Sequence, residues 1–118
     1  MRLFRIKADP SDLLISNDLK IADSFSSKLF GLIFSAPLKE SEGLLIENCS
    51  SIHTFWMRYP IDVLFLDSDN RVIRFFEDLK PFRVSPFIRG AAKTVELRSG
   101  TVKACSINTG DCLKLVQS

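Results

Sequence analysis

The chemistry-bearing residues of this chain crowd into one run, Cys49-Ser50-Ser51-Ile52-His53-Thr54-Phe55-Trp56-Met57-Arg58-Tyr59-Pro60-Ile61-Asp62, which contains the chain's single His, single Trp and single Tyr. Cys49, His53 and Met57 recur at every fourth residue, a spacing that keeps side chains on one face of either a helix or a strand. Three chemistries follow. A thiolate, an imidazole and a thioether are soft or borderline ligands suited to copper(I) or zinc, with Asp62 or Glu96 able to add an oxygen. Cys49 and His53 are weak metal candidates, because one His and scattered Cys lack four-ligand spacing. In a second chemistry Cys49 is a nucleophile, His53 its base and Asp62 the group that orients the imidazole. The third is recognition: Phe55, Trp56 and Tyr59 offer flat apolar faces, and His53, Arg58 and Asp62 offer polar handles. Against all three stands a plain alternative of an inert buried thiol, a hydrogen-bonded His and core Met and aromatic residues.

Two further features carry chemistry. Asp62 opens an apolar strand, where a buried carboxylate requires a cation or several donors. Either it is solvated at a strand end or it caps the backbone N–H groups of a neighbouring loop, and a structural job is expected of it ahead of catalysis. Lys80, Arg83, Arg89 and Lys93 fall within 14 residues that contain no acid, interleaved with Phe82 and Phe87. Such a loop can take phosphate, a carboxylate or an acidic partner. It can equally be a solvated loop that balances Glu77, Asp78 and Glu96.

These residues need a scaffold. The chain has 118 residues, 46% hydrophobic and 25% charged, with a formal net charge of +2. That is ordinary globular composition in the single-domain size range, and the near-neutral total argues against a dedicated nucleic-acid binder. The sequence has no 18-residue apolar run, so no membrane-spanning helix is expected. Arg5 and Lys7 interrupt the apolar residues of the N-terminus, so a signal-peptide core is absent and a cytoplasmic location is expected. Three widely spaced cysteines fit reduced thiols better than a disulfide framework.

The first seven residues read as an edge strand or loose arm. Leu13–Ile15 and Leu19–Ala22, around Asn17-Asp18, read as a hairpin. A short helix is expected through 24–34. Gly43–Ile46 reads as a buried strand. Ile61–Leu66 and Arg71–Phe76, around Asp67-Ser68-Asp69-Asn70, read as an antiparallel hairpin with Ile61, Val63 and Phe65 on one face and Asp62, Leu64 and Leu66 on the other. Leu79–Lys93 reads as a long loop, Thr94–Leu97 and Leu113–Val116 as strands, and Thr101–Ile107 as a short helix.

His53-Thr54-Phe55-Trp56-Met57-Arg58-Tyr59-Pro60-Ile61-Asp62-Val63-Leu64-Phe65-Leu66-Asp67 resembles the signature of a prokaryotic family of small domains of unknown function, number 192. Lys28–Ile33, Gly43–Ile46, Lys80-Pro81-Phe82-Arg83, Val95-Glu96-Leu97 and Gly110-Asp111 match further pieces of that family in order, so the resemblance spans about 12–116. Ile33 stands where the family commonly has Met, and Asn70 where it often has Gly. The resemblance implies a compact β-rich domain and no particular activity, so it assigns no catalytic residue.

The resulting expectation is a single domain over 1–118, mainly β with minor α, built as a small barrel-like mixed sheet with one or two short helices. The expected function is a non-catalytic binding or accessory module for a small ligand or peptide. Its candidate ligand-binding residues are His53, Trp56, Met57, Asp62, Arg83 and Glu96. One alternative is a small metal-binding or cysteine-dependent enzyme using Cys49 and His53. Another is a protein-interaction domain using the basic 80–93 loop. No cofactor is named. A small ligand or a protein partner is expected, and neither nucleic acid nor membrane is. Sequence alone leaves the oligomeric state open.

Overall fold

The computed structural model describes residues 1–6, 12–23, 38–39, 41–52, 54 and 59–117. The expected helix over 24–34, and His53, Phe55, Trp56, Met57 and Arg58, lie outside the described residues. The strands are β1 (Arg2–Arg5), β2 (Leu13–Ser16), β3 (Asp18–Asp23), β4 (Glu42–Glu47), β5 (Ile61–Leu66), β6 (Val72–Leu79), β7 (Lys93–Arg98) and β8 (Leu113–Val116); one short helix, α1 (Thr101–Ala104), precedes β8. The protein is mainly β, as expected from its short apolar runs separated by polar turns.

Two sheets form. One has three strands in the order β2-β1-β8, and the other has five in the order β3-β4-β7-β5-β6. The larger sheet is mixed, with β3 and β4 parallel and the other pairs antiparallel. The sheets meet at an isolated bridge between Arg71 and Cys112, and Leu19 N–H donates to Met1 O on the other side. The resulting wrap is not a closed barrel.

Two expectations are corrected. The first strand is no edge strand or loose arm, since β1 lies between β2 and β8. Residues 13–22 form no hairpin, because β2 pairs with β1 and β3 pairs with β4. Asn17 alone separates the two strands, too little chain for a two-residue hairpin turn. Instead Asn17 N–H and Asp18 N–H both donate to Ser41 O, as does the Ser16 hydroxyl at 2.7 Å. The chain bends around Ser41 and enters the second sheet alongside β4. The hairpin of β5 and β6 forms as expected, with register shifts near both ends of β5.

The centre of the five-stranded sheet is covered on both faces, and every residue of β5 is buried. Alternation sends Leu64 and Leu66 inward, where they pack with Leu3, Leu45, Val72, Val95, Leu97 and Leu113 between the sheets. It sends Ile61, Val63 and Phe65 to the outer face, where they pack with Leu44, Ile46, Cys49, Ile52 and Ile88. Gly43 sits on the inner face, and a Cβ there would lie 2.9 Å from Leu19 Cδ1 and 3.2 Å from Glu96 O. Glycine is therefore what lets β3, β4 and β7 pack this closely.

Candidate functional site

Of the expected site residues Asp62, Arg83 and Glu96 are described, and Asp62 and Glu96 lie on opposite faces of the sheet. Asp62 is fully buried on the inner side of β5. Its Oδ1 accepts from Asp78 N–H at 2.8 Å. Its Oδ2 accepts from Gly100 N–H at 3.1 Å and Val102 N–H at 2.9 Å. Gly100 is the N-cap of α1 with φ 96, and no side chain of the helix's own segment caps it. Asp62 supplies that missing acceptor from another strand, and its negative charge suits the unpaired N–H groups of a helix start. It also holds Asp78, which sits at φ 52 where β6 bulges. This is the capping role its sequence position suggested.

Glu96 lies on the opposite face. Its neighbours in β7, Val95 and Leu97, point inward, and its register partners Leu44 and Val63 belong to the outer cluster. Its exposure is 5%, and among the described residues no group donates a hydrogen bond to its carboxylate. Burial alone pushes its pKa up from 4.5 to about 7. Tyr59 stands nearby. Its phenol is raised first by burial and then by the charges of Glu96 and Glu42. Glu42 shares the outer face of β4 with Leu44 and accepts from Lys39 N–H at 2.6 Å.

Beside this group lies a recess of about 200 Å³ lined by Leu38, Tyr59, Pro60, Arg98 and Ser99. Arg98 is two residues beyond Glu96 on β7, so both sit on the same side of the sheet. Its lining sets apolar Leu38 and Pro60 beside a phenol, a guanidinium and a hydroxyl. Tyr59 and Glu96 stood out in the sequence. Glu42, Arg98 and Ser99 did not, since only the pairing of β4 with β7 brings them to this face.

Cys49 is buried, and its thiol donates to Ser51 O at 3.1 Å. A buried thiol bonded in this way is less accessible than a reactive one usually is. Among the described residues no three His, Cys, Asp or Glu side chains cluster as metal ligands. Arg83 is exposed on the loop between β6 and β7, a loop pinned to residues 50–54. Thr54 N–H donates to Arg83 O at 2.8 Å, and Phe82 N–H donates to Thr54 O at 3.0 Å. The buried Thr54 hydroxyl donates to Lys80 O at 2.6 Å and accepts from Arg83 N–H at 2.9 Å. Ile52 N–H donates to the Ser85 hydroxyl at 2.9 Å, and Ser85 N–H returns to Ile52 O. The basic loop thus fixes the segment that leads into the signature run.

A profile of the DUF192 family, an uncharacterized ACR, matches residues 6–115. The chain belongs to the DUF192 family. The chain is 34% identical over 100 residues to a UPF0127 protein of Pyrococcus furiosus, covering 82% of this chain and 85% of that protein. A UPF0127 protein of Pyrococcus horikoshii is 33% identical over 109 residues, covering 90% and 94%. A crystal structure of a protein of unknown function from Novosphingobium aromaticivorans superposes with a TM-score of 0.80 at 16% identity, over 98% of this chain and 84% of that one. A Sinorhizobium meliloti crystal structure superposes with a TM-score of 0.77 at 24% identity, over 96% and 91%. These likenesses establish the fold of this DUF192 chain, and the family carries no assigned activity.

Proposed function

We propose that this DUF192 domain is a non-catalytic binding module whose ligand seats on the outer face of the five-stranded sheet, in the recess beside Glu96. One observation carries the reading: Glu96 is almost fully buried on an apolar surface with no hydrogen-bond donor among the described residues. Burying a carboxyl costs free energy unless donors meet it, and a ligand donor would lower that cost. The complementary ligand is a small molecule or peptide end with an apolar body and an ammonium or N–H donor. Its body would lie against Leu38 and Pro60, and its donor would reach toward Glu96 and Tyr59. Of the sequence candidates, His53, Trp56 and Met57 are proposed as part of the same site because they follow Ile52, which packs in the outer cluster. Asp62 serves the site by holding β5 and α1, and Arg83 by holding Thr54.

Benzylamine and its matched alcohol, titrated separately into ¹⁵N-labelled protein, test the reading. Amide shifts at Tyr59, Arg98 and Ser99 with the amine, lost in Glu96→Gln, are expected. Absence of shifts there, or shifts of equal size in Glu96→Gln, would overturn it.

A further inference from the structure

The loop between β6 and β7 presents an unusual surface. Phe82 is 69% exposed, Val84 62% and Phe87 73%, the highest exposures among the large hydrophobic residues described. Two phenylalanines and a valine at such exposure present on the order of 300 Å² of apolar surface, the size associated with an interaction site. Arg83 and Arg89 lie among them, both exposed and without a carboxylate partner among the described residues. Lys80, by contrast, is paired with Asp78. No acidic residue occurs from Leu79 to Val95.

Part of the backbone of this loop is paired with residues 50–54. Phe82, Arg83, Ser85 and Ile88 N–H groups donate to Thr54 O, the Thr54 hydroxyl, Ile52 O and Ser50 O. Pro81 and Pro86 have no N–H to satisfy. The Thr54 hydroxyl bonds Lys80 O, and the Ser85 hydroxyl bonds Pro86 O. Pairing these groups lowers the backbone cost of leaving water for a lipid interface.

We propose that the Lys80–Arg89 loop docks on an anionic bilayer surface, with Phe82, Val84 and Phe87 entering the headgroup–acyl boundary and Arg83 and Arg89 meeting lipid phosphates. The arginine charge is complementary to anionic headgroups, and aromatic side chains favour the interface. The exposed side chains project from a loop rather than line a groove. A bilayer accepts protruding apolar side chains without a preformed pocket. No helix of the described residues is long and apolar enough to cross a membrane, so the contact is peripheral. The sequence led to an expectation of no membrane partner because it did not show which side of this loop faces water.

The test is flotation of the full chain with vesicles of phosphatidylcholine alone or mixed with phosphatidylglycerol. Binding to the anionic vesicles alone, weakened by added salt, is expected. Phe82→Ser with Phe87→Ser should lower the partition coefficient by about tenfold or more. Arg83→Gln with Arg89→Gln should lower it as well, and circular dichroism should show both double variants folded. No flotation with anionic vesicles, or flotation unchanged in the folded phenylalanine variant, would overturn the proposal. So would loop amide shifts with a Glu- and Leu-rich peptide in a protein that ignores vesicles, which would assign the surface to an acidic protein partner.

Discussion

Asp62 and Glu96 are buried carboxyl groups on adjacent strands of one sheet, and their surroundings are opposite. Asp62 faces inward and accepts three backbone N–H bonds of 2.8–3.1 Å. Glu96 faces outward among Leu44 and Val63, and its pKa rises to about 7 by desolvation alone. The first arrangement is what folding requires: a charge taken from water and fully repaid in hydrogen bonds. The second has no donor among the described residues, and desolvation raises its pKa. The proposed binding reading rests on this contrast between the outer and the inner face.

The largest effect should come from Asp62. Asp62→Ala removes the acceptor of three N–H groups and opens the start of α1, a loss of about 3–4 kcal/mol. Urea unfolding measures it, and a loss below about 1 kcal/mol would end the contrast between the faces. Glu96 should act through pH. Its folded-state pKa of about 7 lies above the unfolded 4.5, so the folded chain holds a proton that the unfolded chain has released. Stability from this group is full below about pH 4.5, falls as pH rises, and levels off above about pH 7, by on the order of 3 kcal/mol in all. In Glu96→Gln that slope should vanish. An identical slope in the variant would mean that Glu96 has a partner in the folded protein.

How legible this was in the sequence depends on the range of the contacts. Alternation along β5 separated Ile61, Val63 and Phe65 from Asp62, Leu64 and Leu66, and the two clusters divide the same way. A carboxylate at the start of an apolar strand left Asp62 either solvated or capping a loop, and the structure shows the second. Both are local patterns. The bend at Asn17 was not legible, because it is set by Ser41, 24 residues away. Nor was the union of Glu42, Tyr59, Glu96 and Arg98, since parallel pairing of β3 with β4 and antiparallel pairing of β4 with β7 leave no periodic trace. Cys49, His53 and Met57 drew attention by spacing. Yet Cys49 is a packed thiol, and spacing alone does not distinguish packing from chemistry.

Packing should distinguish the faces next. Gly43→Ala puts a Cβ on the inner face against Leu97 Cδ2 at 3.0 Å and the backbone oxygen of Glu96 at 3.2 Å. The backbone cannot yield as a side-chain tip does, so a loss of about 1–2 kcal/mol is expected in thermal or urea unfolding. A neutral result would show that the inner face is less tightly set than the distances imply.

The smallest effect is the most discriminating. Ser99 lines the outer recess, and its hydroxyl donates to Asp78 Oδ1 at 2.8 Å. Asp78 in turn gives its N–H to Asp62, so Ser99 touches both regions. The Asp78 carboxyl is held below its usual range, chiefly by the hydrogen bond from Lys80 and then by that from Ser99. Asp78 is exposed, so water replaces the lost hydroxyl in Ser99→Ala and stability should change by less than about 0.5 kcal/mol. Amine binding in the recess should weaken all the same, because the rim loses its hydroxyl. A Ser99→Ala variant that loses as much stability as Asp62→Ala would make the capping network and the recess one cooperative unit, and the division of labour between the two faces would then fail at the residue that joins them.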